Sequence, residues 1–475
     1  MTKVQMDSLA LPKNWVWARL GDVVSFEYGK GLREDKRNAN GRVPVYGSNG
    51  IVGYHSVPLV EKPCLVVGRK GAIGAIHLSN KPCWPIDTTY YVLPPDGIDL
   101  VFLYHLLYFN RLGSLDKSTA IPGLNRDDAY AVKIPLAPTN EQKRIVARLE
   151  ELFARLDSGV EGLRKVKAQL KRYRQAVLKY AFEGKLTEEW RKTHKNQTEP
   201  AIILLERIKE ERKKDPRHEE LQLIDVSGLP ELPQSWMWVR LGDVSGTTSG
   251  GTPSRKKKEY YGGKIPWLKS GELKDGVINA TEESITDEGL ANSSTRIIPK
   301  GTLLIALYGA TVGKLGVLGI DSAINQAICA IFPNGGISRD FLFWYLRKHR
   351  DELLNIRKGG AQPNISQDVV RKIVLPLPSL QEQQKIVEEI ENRMSSMKEV
   401  ESVLEKSLKQ AERLRQGILK QVFEGKLVPQ DPSDEPADKL LERIKEARAK
   451  SKGEKETKKG RKNMHRQLEL STYVE

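Results

Sequence analysis

One long pattern of apolar and polar positions organises this chain, and the chain contains it twice. The first copy runs from Asn140 to Glu183 and closes with FEGKL at Leu186; the second begins at Gln381 and closes with FEGKL at Leu427. The offset is 241 residues at both ends, so the copies match without a gap. Each copy predicts one continuous helix of roughly 65 Å.

Apolar residues in these copies recur every seven positions. The main row of the first copy is Leu149, Leu156, Leu163, Leu170 and Val177. Its companion row is Ile145, Leu152, Val166, Tyr173 and Tyr180. The second copy keeps the row Ile386, Ile390, Met397, Leu404, Ala411 and Ile418, while Arg393 and Gln421 interrupt its companion. Two rows at heptad spacing indicate a coiled-coil seam.

The ends of both helices also carry sequence signals. The pairs Thr139 with Gln142 and Ser379 with Glu382 have the spacing of capping boxes. Gly184 and Gly425 stand where a left-handed residue would end each helix.

A coiled coil by itself often serves only to join two chains, and that reading remains open. Two equal copies in one chain favour pairing with each other. The domain of about 150 residues between them has an expected radius of gyration of about 15 Å, too short to carry the chain back along the rod. We therefore predict an α+β protein in which two globular α/β domains lie at opposite ends of an antiparallel two-helix coiled coil.

The repeat extends beyond the helices. PKNWVWARLGDV at 12–23 returns at 233–244 as PQSWMWVRLGDV, and PAIILLERIKEER at 200–212 returns at 436–448 as PADKLLERIKEAR. The predicted segments are a first globular domain (1–139), the first long helix (140–186), a charged helix and linker (187–226), a second globular domain (227–380), the second long helix (381–427), and a short helix with a basic tail (428–475). The tryptophans Trp15, Trp17, Trp236 and Trp238 alternate at strand spacing, which favours packing at a domain edge over base stacking.

Composition narrows the class of protein. No run approaches 18 apolar residues, and the first 15 residues lack the apolar core of a signal peptide. Cys64, Cys83 and Cys329 have no C-x-x-C spacing, which favours buried residues of a cytoplasmic protein over disulfides or a metal site. The net charge of +16 suggests a polyanionic partner, although residues 443–463 hold ten Lys or Arg against three Glu. A run such as KKGRK at 458–462 favours a solvated, disordered tail over an arm that binds nucleic acid.

Within the globular domains, glycine-containing turns separate short apolar strands. PVYGSNGIVGYH (44–55), PCLVVGRKGAIGAIHL (63–78) and TLLIALYGATVGKLGVL (302–318) each predict a hairpin. GATVGK at 309–314 is one residue short of a phosphate-binding loop and lacks the following hydroxyl residue, so a turn is favoured. No catalytic, cofactor-binding or metal-binding set is recognisable.

The polar turns suit nucleic acid. Arg69 and Lys70 lie in a glycine-flanked turn and could contact guanine, while Asn49 could contact adenine. Arg255 to Lys258, with Lys269 and Ser270, form a basic, hydroxyl-bearing set for phosphate or base contacts. The predicted DNA-binding residues are Ser48, Asn49, Arg69, Lys70, Thr252, Ser254, Arg255, Lys269, Ser270, Tyr308 and Lys314.

From about residue 12 to 448 the chain resembles the specificity subunits of type I restriction–modification systems. The resemblance rests on the paired W-x-W-x-x-L-G-D motifs, IPW…SGEL, PVYGSNG, GATVGK, and the helices from EQK or EQQ to FEGKL. It implies two target recognition domains, each recognising half of a bipartite, asymmetric DNA site, with the helices as spacer and as docking site. It also implies two methyltransferase subunits as partners, restriction subunits in the full complex, and catalysis confined to those partners.

Two other classes of protein remain as alternatives. One is a self-contained DNA methyltransferase or endonuclease, which a methylation assay on the purified chain would test. The other is a coiled-coil scaffold that does not bind DNA, which a salt-dependent DNA-binding assay would test.

Overall fold

A computed structural model of the chain describes residues 10–115, 123–195, 197–212, 224–355 and 365–450. The chain divides into two compact units. The first unit combines the residues up to Leu163 with those from Lys406 onward, and the second comprises Arg164–Glu405. Each unit has its own hydrophobic core. The basic tail after Lys450 lies outside the described residues.

The helices include two that far exceed the others in length. In chain order the helices are α1 (Leu20–Val23), α2 (Leu100–Phe109), α3 (Arg126–Tyr130), α4 (Thr139–Phe182), α5 (Glu188–Thr193), α6 (Ala201–Arg212), α7 (Leu241–Val244), α8 (Asp287–Ala291), α9 (Arg339–Asn355), α10 (Gln367–Arg371), α11 (Leu380–Phe423) and α12 (437–450). Short 3₁₀ turns lie at Glu34–Lys36, Leu112–Leu115, Lys258–Tyr260, Ser270–Glu272 and Gly309–Thr311. In the described part of the chain, no helix is both long and apolar enough to cross a membrane.

The strands of the first unit are short and form three small sheets. They are β1 (Val16–Arg19), β2 (Glu27–Tyr28), β3 (Val43–Gly47), β4 (Gly50–His55), β5 (Cys64–Gly68), β6 (Ile76–Ser79), β7 (Trp84–Pro85), β8 (Thr89–Val92) and β9 (Lys133–Leu136). The strand orders are β1-β9, β2-β8-β5-β6 and β4-β3-β7. The pair β3–β7 is parallel, and the other described pairs in this unit are antiparallel.

The second unit follows the same plan with larger sheets. Its strands are β10 (Met237–Arg240), β11 (Ser245–Ser249), β12 (Tyr261–Leu268), β13 (Gly276–Ile278), β14 (Glu283–Ile285), β15 (Ile297–Ile298), β16 (Leu303–Ala306), β17 (Leu315–Leu318), β18 (Ser322–Ile324), β19 (Ile328–Pro333) and β20 (Val374–Leu377). The strand orders are β10-β20, β11-β19-β16-β17-β13 and β14-β12-β18-β15. Strands together with helices confirm the predicted α+β class.

All three predicted hairpins are present. Strands β3 and β4 are joined by Ser48 and Asn49, and Gly50 takes a φ of 111° that favours glycine. Strands β5 and β6 pair antiparallel, as do β16 and β17. The GATVGK segment therefore joins two strands, whereas a phosphate-binding loop leads from a strand into a helix. The preference for a turn is confirmed.

The paired tryptophans serve packing, as predicted. Trp15 and Trp236 are each 6% exposed and precede the strands β1 and β10. Trp17 and Trp238 lie within those strands, opposite Pro135 in β9 and Pro376 in β20. The opening segment of each domain is therefore held to the strand that leads into its long helix.

The two long helices pair antiparallel within each unit. In the second unit Lys167 Nζ lies 3.2 Å from a Glu405 carboxylate oxygen, and Arg174 Nη2 lies 3.2 Å from that of Glu401. The residue number falls along α11 as it rises along α4, as antiparallel pairing requires. In the first unit, Arg415 of α11 lies 4.3 Å from the centre of the Phe153 ring of α4.

The predicted companion row of the first helix is wrong in its second half. Val166, Tyr173 and Tyr180 are 41%, 47% and 49% exposed. A straight helix rotates a seven-residue row by about 20° per heptad, so a row near the edge of the seam turns toward solvent. A polar partner adds to this effect, because Arg393 of α11 donates to the Tyr173 hydroxyl at 3.3 Å. The main row of α11 is buried at Ile386, Ile390, Met397, Leu404 and Ile418.

The first predicted capping box is wrong, because the polar residues at this helix start bond to the globular domain. The Thr139 hydroxyl donates to the Gly97 carbonyl at 2.9 Å. The Gln142 side chain accepts from Asp99 N and donates to Ala137 O, both at 2.9 Å.

The second start forms half of the predicted capping box. Ser379 Oγ accepts from Glu382 N at 3.3 Å, but the Glu382 carboxylate binds Trp236 instead of closing the box. Gln383 accepts from Ser338 N at 2.7 Å, which repeats the role of Gln142.

The helix ends confirm the glycine prediction and add a reason for it. Gly184 and Gly425 have φ values of 74° and 66°. A Cβ atom on Gly184 would lie 2.4 Å from Cγ of Pro233, and one on Gly425 would lie 2.1 Å from Cγ of Pro12. Both conformation and close approach therefore require glycine.

Each unit is completed by a short helix. In the first unit Leu440 and Ile444 of α12 are buried in the core, and Arg448 Nη1 donates to the Gly21 carbonyl at 2.6 Å. In the second unit Leu204 and Ile208 of α6 are fully buried. The core of the first domain thus includes residues from the far end of the chain.

All three cysteines are buried and free, as expected. Cys64 Sγ and Cys83 Sγ lie 3.5 Å apart in a small apolar cluster beside β5. Burial raises the pKa of the Cys329 thiol to about 12, so this thiol stays protonated at neutral pH.

Candidate nucleic-acid interface

The predicted residues of the first domain come together at two neighbouring turns. Ser48 Oγ accepts from Ala72 N at 3.4 Å, and the Ser48 carbonyl lies 3.0 Å from His77 Nε2. These contacts hold the β3–β4 turn against the turn between β5 and β6. Asn49 and Lys70, at the tips of the two turns, have exposed side chains. They are available to a ligand on this face.

Arg69 is held more firmly than its neighbour Lys70. Its Nε and Nη2 donate to the Asp87 carbonyl at 3.2 and 2.7 Å. Its guanidinium carbon lies 5.4 Å from the centre of the Tyr28 ring, within cation–π distance. Arg69 therefore shapes the face as well as adding charge to it.

Tyr28 and Arg126 join this face, and sequence reasoning missed both. Tyr28 is 55% exposed. Arg126, the first residue of α3, places its guanidinium carbon 5.5 Å from the centre of the Tyr28 ring. Two guanidinium groups thus flank one exposed aromatic ring, a combination that suits phosphates and bases. No local motif connects residues that are almost 100 positions apart.

In the second domain, two predicted cations are already paired with glutamates. Arg255 Nη1 lies 2.7 Å from a Glu283 carboxylate oxygen, and Lys269 Nζ lies 3.0 Å from the other. Hydrogen bonds from Arg255, then from Lys269, hold the pKa of Glu283 below its usual value. Glu282 also contacts Lys269 at 3.1 Å. Two cations of the basic set are therefore neutralised by glutamates, which the sequence did not indicate.

Arg255 also stacks on aromatic side chains. Its guanidinium carbon lies 4.4 Å from the centre of the Tyr261 ring and 5.0 Å from that of Trp267. Ser254 beside it is exposed, and Ser270 begins a 3₁₀ turn with a half-buried side chain. This region therefore presents a guanidinium group close to two aromatic rings, with hydroxyl groups beside it.

Tyr308 and Lys314 lie at the base of the β16–β17 turn. Tyr308 is 38% exposed, and Lys314 N donates to Thr311 O at 2.9 Å. Gly309 and Gly313 have φ values of 70° and 75°, so the turn requires glycine at both positions.

A short segment after β18 connects the separate parts of the second face. Asn325 N donates to Leu268 O at 2.9 Å, and Leu307 N donates to Ala327 O at 2.8 Å. Between them, the Gln326 side chain is exposed and accepts a hydrogen bond from the Thr252 hydroxyl. The structure thus groups Thr252, the end of β12 and the β16–β17 turn around Gln326, another residue that sequence reasoning missed.

Known proteins match both halves of the chain. The sequence model described as "Type I restriction modification DNA specificity domain" matches residues 12–166 and 233–409. The type I restriction enzyme EcoDI specificity subunit of Escherichia coli is 26% identical over 478 residues, which cover 96% of this chain and all of that protein. The EcoBI specificity subunit of Escherichia coli is 25% identical, with coverage of 96% of this chain and 94% of that protein.

Solved structures share the fold. A chain from a study of complex assembly and conformational transition of the type I R-M system has a TM-score of 0.61 at 19% identity, and covers 88% of this chain and 99% of that one. The HsdS subunit from Thermoanaerobacter tengcongensis has a TM-score of 0.51 at 20% identity, with the same coverage. Because the matched domain accounts for more than half of the residues, this chain belongs to the type I restriction–modification DNA specificity family, with one specificity domain in each half.

Proposed function

We propose that this chain is the DNA-recognition subunit of a type I restriction–modification enzyme and that each globular domain recognises one half of a bipartite site. The observation that carries the proposal is that the two globular domains repeat one backbone arrangement. Both domains hold a hairpin turn beside a second exposed turn, yet the polar side chains on those turns differ. Two modules with one frame and different tips suit an asymmetric DNA site.

The DNA-facing residues in this proposal are those of the two turn clusters. In the first domain they are Ser48, Asn49, Arg69 and Lys70, supplemented by Tyr28 and Arg126. In the second domain they are Thr252, Ser254, Arg255, Lys269, Ser270, Tyr308 and Lys314, supplemented by Gln326. Cations and hydroxyl groups would bind phosphates, and amide and guanidinium groups would distinguish base edges.

The long helices have a separate role, which is to dock partner subunits. Val166, Tyr173 and Tyr180 form an exposed apolar row at heptad spacing on α4 in the second unit. A partner helix packs on such a row through the same knobs-into-holes geometry as a coiled coil. The partners are two methyltransferase subunits, with restriction subunits in the full complex, and the length of the helices contributes to the gap between half-sites.

Catalysis belongs to those partners and not to this chain. The related proteins are named as specificity subunits of type I restriction enzymes. The chain alone would therefore neither methylate nor cleave DNA, and it would require no cofactor of its own. Its place of action is the cytoplasm, where the host DNA is.

The test is selection of methylated sequences by the full complex. The chain would be purified with its methyltransferase subunits, supplied with S-adenosylmethionine and random DNA, and the methylated adenines sequenced. We expect Asn49→Ala with Lys70→Ala to alter one half-site and Tyr308→Ala with Lys314→Ala to alter the other. Lys143→Ala, which removes an exposed lysine of α4, is the matched control. An unchanged site in both double variants would refute the proposed faces.

A further inference from the structure

Two four-residue turns occupy equivalent places in the two units. In the first, Thr89 N donates to Ile86 O at 2.9 Å; in the second, Ile328 N donates to Asn325 O at 3.1 Å. This bond from the fourth residue to the first defines a β-turn. We call residues 86–89 and 325–328 the central turns.

Each central turn directly follows one strand of a parallel pair, β7 in the first unit and β18 in the second. Ile86 N donates to Tyr46 O, and Asn325 N donates to Leu268 O, each at 2.9 Å. Tyr46 belongs to β3 and Leu268 to β12, which pair in parallel with β7 and β18. The first residue of each turn is therefore fixed to a central strand of its domain.

Each central turn also supports the adjacent hairpin. Thr88 O accepts from Arg69 N at 2.9 Å, and Ala327 O accepts from Leu307 N at 2.8 Å. The third residue of each turn thus sets the position of the β5–β6 turn or of the β16–β17 turn.

A glycine closes each central turn from the remaining side. Gly29 N donates to Thr89 O at 3.1 Å, and Gly250 N donates to Ile328 O at 3.3 Å. A Cβ atom on Gly29 would lie 2.2 Å from Ile86 O, and one on Gly250 would lie 2.0 Å from Ile324 O. The backbone of both turns is therefore held on three sides.

The second residue of each central turn is its exposed one, and its chemistry differs between the domains. It is Asp87 in the first domain and Gln326 in the second, and both side chains are exposed. Asp87 adjoins Arg69 and Lys70, while Gln326 adjoins Thr252 and the β16–β17 turn. A rigid backbone carrying one variable polar tip is what base discrimination requires.

We infer that Asp87 and Gln326 are specificity-determining residues, each contacting one base edge in its own half-site. The inference rests on the proposed function. A carboxylate only accepts hydrogen bonds, so Asp87 selects cytosine through its exocyclic amino group. The amide of Gln326 both accepts and donates, so it selects adenine through N6 and N7.

A carboxylate on a DNA-facing surface is repelled by the phosphates, so Asp87 needs a hydrogen-bond donor to offset that repulsion. The amino group of a base edge supplies such a donor. Arg69 helps to hold Asp87 in place, because its guanidinium donates to the Asp87 carbonyl.

The experiment exchanges the two chemistries in the complete methyltransferase complex. Asp87→Asn and Gln326→Glu would each be assayed by sequencing methylated adenines in random DNA. We expect Asp87→Asn to lose a cytosine preference of about tenfold at one position of one half-site. We expect Gln326→Glu to replace adenine by cytosine at one position of the other. In each variant the untouched half-site reports that the complex has assembled.

The outcomes distinguish a failure of this inference from a failure of the proposed function. Asp87→Ala and Gln326→Ala serve as second variants, since truncation must relax the same positions without adding a new preference. If all four variants methylate the original sequence while Lys70→Ala or Tyr308→Ala alters it, the inference is wrong and the proposed function stands. If none of these variants alters the sequence, the DNA-facing surface itself is misplaced.

Discussion

The indole nitrogen of Trp15 donates to the carboxylate of Glu141 at 2.9 Å, and so joins the opening segment of the first domain to the start of its long helix. Both side chains are buried. The other Glu141 oxygen accepts from Gln430 Nε2 at 2.5 Å. Burial raises the pKa of Glu141, and the hydrogen bonds from Trp15 and Gln430 only partly oppose that effect.

The second copy repeats this Trp–Glu hydrogen bond, but its carboxylate has a different additional partner. Trp236 Nε1 donates to Glu382 at 2.8 Å. Glu382 is also 2.8 Å from Arg191 Nη2, whose side chain is 18% exposed. One buried carboxylate is therefore paired with a cation, while its equivalent is held by neutral donors.

This difference predicts that replacing the glutamate by glutamine destabilises the two units to different extents. Glu382→Gln should lower the free energy of unfolding by about 3 kcal/mol, because it leaves the largely buried Arg191 without its counter-charge. Glu141→Gln, its matched control, should cost less than about 1 kcal/mol, because the amide can still accept from Trp15. Calorimetric melting of the two variants beside the parent chain would measure both. Equal losses of unfolding free energy would contradict the idea that only Glu382 compensates a buried cation.

The pH dependence of Glu141 gives a separate prediction. A carboxyl whose pKa is raised by folding favours the folded state when it is protonated. That contribution is fully present below the unfolded pKa and is lost as pH rises through the higher folded pKa. Relative to the parent chain, Glu141→Gln should therefore gain stability as pH rises from about 4.5 toward neutrality. Denaturant titrations across this range would test it, and a constant difference would count against it.

Removal of Glu283 should strengthen non-specific DNA binding. Glu283→Gln frees Arg255 to bind phosphates and leaves Lys269 with Glu282 as its remaining carboxylate partner. We expect several-fold tighter binding at low salt and a steeper decline of affinity with salt. Glu231→Gln changes the net charge equally at an exposed site of the second unit and serves as control. Equal effects of the two substitutions would show that only net charge matters.

Helix α12 should be necessary for the first domain. Ending the chain at residue 436 removes Leu440 and Ile444 from that core, and each buried aliphatic side chain lost costs about 2–5 kcal/mol. We expect a markedly lower melting temperature. A chain ending at Lys450 keeps the helix and should melt like the parent. Equal melting of both truncations would disprove a structural role for α12.

A fragment of residues 1–215 should form a dimer. The first-unit core contains Ile418, Leu419, Val422 and Phe423. The offset of 241 places Val177, Leu178, Ala181 and Phe182 at the equivalent positions of the first copy, and all four are buried. A second fragment could therefore supply the missing residues. Analytical ultracentrifugation would report the dimer, and Phe182→Glu should abolish it. A folded, monomeric fragment would contradict the exchange.

The hairpins and long helices were predictable because their signals are local. The Ser48–Asn49 turn, the glycines of GATVGK and the FEGKL helix ends depend on backbone conformations that few residues tolerate. The duplication added a long-range inference, since two equal heptad patterns in one chain favour pairing with each other. The errors at Thr139 and Tyr173 arose where a local pattern competed with a tertiary partner, Gly97 in one case and Arg393 in the other.

The candidate site also combines features that the local sequence encodes with features that tertiary contacts decide. Sequence alone determined the repeat, the fold class, the hairpins of the candidate DNA face and its cationic residues Lys70 and Arg255. Only the tertiary structure placed Tyr28 beside Arg69, neutralised Arg255 with Glu283, and set Asp87 and Gln326 at equivalent turns. Turn chemistry is encoded within a few neighbouring residues. Charge compensation and the convergence of side chains depend on contacts between distant segments, which exist only once the chain has folded.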